Sequence, residues 1–244
     1  REELQRRLLN EKVDTDLIQG VDTALTLKER KNVFALSAFK EGLFEVQDRA
    51  SQCVASFLEI TPGQRVIDAC AGGGGKSLHL GALLKNKGKL ISMDIYDWKL
   101  KELRNRAVRN GIDVIETRLI DSNKVVKRLA ASADRVLLDV PCSGLGVLRR
   151  NPDAKWKLTN EKIENLRQTQ KEILSTYCDM TKVGGKLVYA TCSVLPSENE
   201  QQVESFLASK NQNGSSWVLE DQMSLSPDQN RGDGFFVARF QRKA

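Results

Sequence analysis

The chain has 244 residues and a mass of 27.3 kDa, with 40% hydrophobic and 29% charged residues and a formal net charge of +6. That is enough for one large domain with a small appendage. It holds no apolar run near the roughly 18–20 residues of a membrane span and no secretory signal, so no membrane partner is expected. The five cysteines, Cys53, Cys70, Cys142, Cys178 and Cys192, form no CxxC pair and have only His79 for company. This argues against a metal site, a disulfide framework and a histidine-dependent triad, and reduced thiols point to the cytoplasm.

The first residue is Arg1 rather than methionine, so upstream sequence is expected to be missing. Residues 1–47, including "REELQRRLLNEKV" and "NVFALSAFKEGLFEVQD", carry an amphipathic pattern and no catalytic motif. They read as an N-terminal helical extension, with the catalytic domain spanning 48–244. From there short apolar runs, "RVIDAC", "KLISMD", "DVIETRL", "DRVLLDV" and "KLVYATC", alternate with helical patterns at 76–86, 97–110, 123–131 and 160–182. Such alternation predicts an α/β fold whose parallel sheet is covered by helices on both faces. Near the end, "SWVLEDQ" and "GFFVARFQ" flank the polar stretch "SLSPDQNRGDG" and predict an antiparallel edge pair, giving a mostly parallel, seven-stranded, Rossmann-like sheet.

The first run of the catalytic domain ends in "DACAGGGGKSLHL". Glycines there let the backbone approach a ligand, and in an open parallel sheet ligands sit beyond the strand C-termini. A phosphate-cradling loop fits Gly75-Lys76-Ser77 but fails where its first glycine falls on Cys70, and a dinucleotide fingerprint fails at Ser77. An S-adenosylmethionine site is the reading that survives. There a glycine turn holds the amino-acid part, Asp94 would meet the ribose hydroxyls and Asp121 the adenine amine. Four carboxylates, Asp68, Asp94, Asp121 and Asp139, stand at successive strand ends. A nicotinamide site would share Asp94 but leave the thiols unexplained.

Cys142 follows one strand and Cys192 ends the next, so both would open into the crevice that holds the glycine loop. A lone cysteine is most often a small buried apolar residue; two beside a methyl donor suggest methylation of an unreactive pyrimidine carbon. Carbon 5 of cytosine becomes nucleophilic once a thiolate adds at carbon 6. Asp139, three residues before Cys142, would support the ring as charge builds. The second thiol then serves as acid or base when the adduct resolves.

"DACAGGGGK", "DVPCSGLGVLRRNPDAKW" and "GKLVYATCSVLPSENE" resemble the signature motifs of the RNA (cytosine-5) methyltransferase family, in particular its bacterial Sun/Fmu group acting on small-subunit ribosomal RNA. "LFEVQDRASQ" and "GDGFFVARF" look like its flanking segments, so the likeness runs from about residue 40 to the end. The resemblance implies that Cys192 attacks carbon 6, that Cys142 assists release, and that Asp139 and Lys76 contact the base. It carries S-adenosylmethionine contacts over to Cys70, Ala71, Gly72, Gly73, Gly74, Gly75, Lys76, Asp94, Asp121 and Asp139. It also implies an RNA partner, ribosomal RNA, and a monomeric enzyme, with residues 1 to about 40 a remnant of an RNA-binding region. Where the family reads Ala-Pro-Gly-Gly-Lys this chain has Gly72-Gly73-Gly74-Gly75-Lys76, and loss of the proline predicts a looser loop. Ile120 likewise stands where a glycine usually precedes Asp121.

The cationic clusters "RRNPDAKWK", "KLKELRNRAVRN" and "KERKN" fit a polyanionic partner, although the second is spaced like a solvated helix face. Arg149, Arg150, Lys155 and Lys157 are expected to track phosphates. Trp156 is expected in the core in preference to stacking on a base.

Overall fold

Runs rich in Val, Ile and Leu become the central strands of a single twisted sheet in the computed structural model, which describes residues 1–18, 21–212, 216–227 and 232–243. Seven strands, β3 (Arg65–Asp68), β4 (Lys89–Asp94), β5 (Ile115–Leu119), β6 (Ala133–Asp139), β7 (Thr181–Thr191), β8 (Trp217–Leu225) and β9 (Phe235–Arg242), stand in the order β5-β4-β3-β6-β7-β9-β8. The first five are parallel, and β9 runs antiparallel between β7 and β8. Strands buried on both faces need apolar residues at every position, and the alternation of faces is visible within β6. Val136 and Leu138 join Ile67, Ile91, Tyr189 and Phe236 on one face, packed by Val126, Leu174 and Phe206. Leu137 joins Val66, Leu90, Val188 and Val237 on the other, packed by Val54, Leu58, Leu80 and Leu84.

The helices that supply these contacts are α3 (Arg49–Phe57) and α4 (Gly75–Leu84) on the second face, and α6 (Asn123–Lys127), α8 (Asn160–Tyr177) and α9 (Glu200–Gln212) on the first. Helix α5 (Asp97–Arg109) buries Leu100, Leu103 and Ala107 beside α4. Two helices start where the sequence supplies a side-chain cap. Asp48 accepts from the Ala50 N–H at 2.9 Å ahead of α3, and the Thr159 hydroxyl accepts from the Lys162 N–H at 3.2 Å ahead of α8. Strand order reverses between β3 and β6, which opens a crevice at their C-terminal ends.

Several boundaries depart from the sequence reading. Residues 1–47 are only partly helical: after α1 (Glu2–Asn10), β1 (Thr15–Leu17) and β2 (Leu25–Leu27) pair antiparallel, and α2 (Ser37–Lys40) is a single turn. Leu25-Thr26-Leu27 alternates apolar and polar residues whereas Thr15-Asp16-Leu17 does not, so the strand signal is confined to three positions on one side; Gln19 and Gly20 lie outside the described residues. Helix α6 stops at Lys127, short of the expected 131, and Ala131 takes a left-handed φ of +49°. Helix α8 ends at Tyr177 rather than 182, because Thr181 already begins β7. The edge pair forms as expected, with part of its connection, residues 228–231, outside the described residues.

Candidate active site

The glycine loop leaves β3 still bonded to both neighbouring strands, since the Ala69 N–H donates to the Leu137 carbonyl at 3.0 Å and the Ala71 N–H to that of Met93 at 2.9 Å. Gly72 and Gly74 then take left-handed φ values of +54° and +92°, and a Cβ at Gly74 would lie 2.5 Å from Leu103 Cγ, so only glycine lets α5 pack so close. Where the proline is missing, the loop is bonded to its surroundings. The Gly72 N–H donates to Asp94 Oδ2 at 2.9 Å, Arg106 donates to the Gly73 carbonyl at 2.6 Å, and the Gly74 N–H closes a turn onto Ala71 at 3.0 Å. The missing proline is replaced by bonds from both sides.

Cβ atoms built on Gly72 and Gly75 would meet nothing within 4 Å, which leaves an open cradle over the start of α4. Asp94 is buried beside it, its other oxygen accepting from the Tyr96 N–H at 2.9 Å; each oxygen keeps a further lone pair for a ligand hydroxyl. The four strand-end acids, however, do not share one environment. Asp121 is exposed and accepts from the Ser122 hydroxyl at 2.9 Å. Asp68 is 1% exposed, sealed under the loop, where Ser77 donates to it at 2.7 Å and burial pushes its carboxyl up to about 7. Cys70 is partly buried against the core, and burial holds its thiol well above the usual range.

The two thiols meet. Asp139 of β6 pairs with Ala190 of β7, and beyond the sheet the Gly146 N–H donates to the Cys192 carbonyl at 2.9 Å. The loops therefore run side by side and set Cys142 Sγ 3.3 Å from Cys192 Sγ. Close packing enforces this, because a Cβ on Gly146 would lie 2.2 Å from the Gly234 carbonyl oxygen and 2.9 Å from that of Cys192. A hydrogen bond from Cys142 lowers the Cys192 thiol below its ordinary value, aided by the Lys76 charge; the same bond, with burial, raises Cys142. Lys76 Nζ lies 2.6 Å from Asp139 Oδ2 and 4.9 Å from the centre of the Phe235 ring, so acid, ammonium and thiol pair share one pocket wall. Chemically, two thiols in contact allow one to act as a nucleophile while the other exchanges a proton beside it.

Sequence reasoning passed over the polar floor of this site. Ser143 and Ser193, each following one of the thiols, both donate to the buried carboxylate of Glu198, and Gln170 from α8 donates to it at 2.9 Å. Glu198 stood inside the quoted "TCSVLPSENE", and the signal available was an acid within a run otherwise committed to the crevice. The cationic loop also differs from expectation. Arg150 ion-pairs with the fully buried Asp233, and Arg149 lies 3.8 Å from Asp48, so both tie the loop to the fold. Trp156, on the single-turn α7 (Ala154–Lys157), is 79% exposed rather than in the core, with Lys155 Nζ 4.6 Å above its ring. A four-residue helix projecting from the domain offers no second surface to bury an indole.

A parallel sheet in this order, closed by an antiparallel strand and carrying a glycine turn, a buried acid bonded to it and an open cradle at its switch point, is the fold of an S-adenosylmethionine-dependent methyltransferase. The comparisons make the class specific. The 16S rRNA methyltransferase RsmB/F family matches residues 55–241, and the chain belongs to that family. A probable ribosomal RNA small subunit methyltransferase B from Synechocystis is 33% identical over 99% of this chain and 57% of its own length. The structure of PH0851 superposes with a TM-score of 0.92 at 33% identity, covering 99% of this chain and 56% of that one. NSun6 from Pyrococcus horikoshii, solved with SFG, superposes at 0.79 and 27% identity, covering 91% and 60%. The chain spans about half the length of the curated relatives it matches. Among the described residues no helix is long and apolar enough to cross a membrane.

Proposed function

We propose that this chain methylates carbon 5 of a cytosine in RNA, with small-subunit ribosomal RNA as the substrate, through a covalent adduct between Cys192 and carbon 6. The observation that carries the reading is the pair of thiols 3.3 Å apart, one lowered and one raised, beside a lysine–aspartate pair. A methyltransferase acting on oxygen or nitrogen has no use for two thiols in contact.

S-adenosylmethionine, when bound, supplies an electrophilic methyl group. Gly72 to Gly75 would cradle its amino-acid part, and Asp94 would accept from the ribose hydroxyls. Cys70, Ala71 and Asp121 stay as neighbours of that site, with exposed Asp121 at its adenine end. The Cys192 thiolate adds to carbon 6, and the ring's double-bond electrons shift toward carbon 5 and the ring nitrogen. Asp139 accepts from the exocyclic amine while Lys76 supplies the positive charge that the ring nitrogen needs as electrons arrive. Once carbon 5 is alkylated its proton must leave to a base; Cys142, ionised once its own proton has been released to solvent, takes it, and expulsion of the Cys192 thiolate restores the ring.

Beyond the thiols, Lys155, Trp156 and Lys157 would meet the RNA, Trp156 stacking on an unpaired base. The reading carries with it a cytoplasmic enzyme that works as a monomer. Incubation with a small-subunit ribosomal RNA fragment and donor, followed by a denaturing gel, tests it. Cys192→Ala should abolish transfer and adduct, whereas Cys142→Ala should accumulate an adduct that fails to resolve. An adduct trapped by Cys192→Ala would reverse the two roles, and transfer to DNA in preference to RNA would overturn the substrate.

A further inference from the structure

We infer that Glu198 is the positioning residue of the thiol pair, a buried carboxylate that clamps both cysteine loops from below and sets the distance between the two sulfur atoms. The inference rests on the two-thiol reading above, yet its geometry stands apart from any substrate. Glu198 lies in the turn before α9 and is 0% exposed. Its Oε1 accepts from the Ser143 N–H at 2.9 Å and from Gln170 Nε2 at 2.9 Å. Its Oε2 accepts from the Ser143 hydroxyl at 2.5 Å and from the Ser193 hydroxyl.

Four donors converge on one carboxylate, and three of them come from the residues immediately after Cys142 and Cys192. The two hydroxyls lie 3.0 Å apart, side by side on the same carboxylate oxygen, and so bring the loops together there. Neighbouring groups complete the floor. Gln170 donates to the Pro141 carbonyl at 3.0 Å, Asn199 donates to the Ser193 carbonyl at 3.0 Å and accepts from the Thr191 hydroxyl at 2.5 Å, and the Tyr189 hydroxyl donates to the Glu198 carbonyl at 2.7 Å. Among the described residues the donors bonded to this carboxylate are all neutral. A surface glutamate would need none of this. A buried one persists because its acceptor-only oxygens force every surrounding hydroxyl and amide to point inward, which fixes the serine rotamers and the peptide planes bearing the cysteines.

Glutamine at 198 keeps the shape but turns one acceptor into a donor. Its Nε2 would face the serine hydroxyls, which must turn to accept from it, so both charge-assisted bonds to Oε2 are lost and the two loops are held less tightly. The Cys142 bond that favours the Cys192 thiolate weakens as the sulfur atoms part.

The test reads the thiols directly and needs no methyl transfer: the pH dependence of iodoacetamide alkylation at Cys192 and Cys142, resolved by peptide mass spectrometry, in the full chain. Glu198→Gln should raise the Cys192 midpoint by about one pH unit, the size of one hydrogen bond to a charged group, and bring the two thiols closer in reactivity. Ser193→Ala is the second variant, which removes one hydroxyl and leaves the carboxylate in place; it should raise the Cys192 midpoint by less than Glu198→Gln does, with Cys142 falling in step through the bond the two thiols share. In transfer assays Glu198→Gln should lower kcat with KM little changed. A folded Glu198→Gln protein with both midpoints as in wild type would overturn the inference, and if that variant does not fold, an unmoved Cys192 in Ser193→Ala would do the same. Failure of the proposed chemistry would appear differently, as intact wild-type midpoints with no transfer to cytosine.

Discussion

Asp68→Asn offers a measurement whose size follows from the fold. The carboxyl sits at the end of β3 at 1% exposure, with Ser77 donating to one oxygen at 2.7 Å, Ser92 donating to Ser77 at 2.8 Å, and no partner for Oδ1. Desolvation outweighs that single bond and lifts the group from its ordinary 3.8 to about 7. A folded-state value raised above the unfolded one means that the native protein binds the proton more tightly. The stability this confers is complete below the unfolded value and is lost as pH climbs through about 7. Integrating the linkage between about pH 5.5 and about pH 8.5 gives a loss of about 2 kcal/mol from this one group. Asparagine cannot ionise, so the stability difference between Asp68→Asn and wild type should move in the variant's favour by about 2 kcal/mol over that range, whatever its fixed cost in lost hydrogen bonding. Urea melts of both proteins at the two pH values give the answer, because titrations elsewhere cancel in the difference. A difference constant to within about 0.5 kcal/mol would show that Asp68 ionises normally and that the seal beneath the glycine loop is open to water.

Gly146→Ala should cost about 3 kcal/mol or more in urea melts and abolish transfer, since its Cβ would displace the Cys192 carbonyl, whereas Gly75→Ala, which meets nothing, should be tolerated to within about 1 kcal/mol. Lys76→Met should lower kcat about a hundredfold in steady-state assays by leaving Asp139 without its ammonium, and an unchanged kcat would remove Lys76 from the mechanism. Arg150→Ala should destabilise by about 2 kcal/mol because Asp233 is left buried and unpaired; the figure is reduced for the 56% exposure of the arginine side chain. Trp156→Ala should leave stability within about 0.5 kcal/mol of wild type and weaken RNA binding in a filter or anisotropy assay; equal affinity would place the stacking surface elsewhere.

The strands and the thiol pair were legible because each depends on short-range rules. A parallel strand buried on both faces must be apolar throughout, so "RVIDAC" and "DRVLLDV" announce themselves, and residues just past such strands share one crevice. What sequence concealed depends on distant partners. Arg150 reads as a phosphate ligand until Asp233, 83 residues away, is found beneath it. Glu198 drew no reading of its own, because nothing in "SENE" reveals that Ser143 and Gln170, 55 and 28 residues away, will meet it. Trp156 looked like core because indoles usually are, but that inference assumes a second surface, and a single turn of helix has none. The hairpin of β1 and β2 escaped because three-residue strands hold too few alternations to outweigh an amphipathic start.

The position of β9 sets the order in which this sheet can assemble. It follows β8 in sequence and yet lies between β8 and β7, so β8 has no neighbour to join until β9 has slotted in. Its entry also delivers Asp233 to Arg150, the Gly234 N–H to the Gly146 carbonyl at 2.8 Å, and the Phe235 ring to Lys76. A nascent chain stalled before this strand would thus expose an unpaired edge on β7 and leave Arg150, Gly146 and Lys76 without these partners.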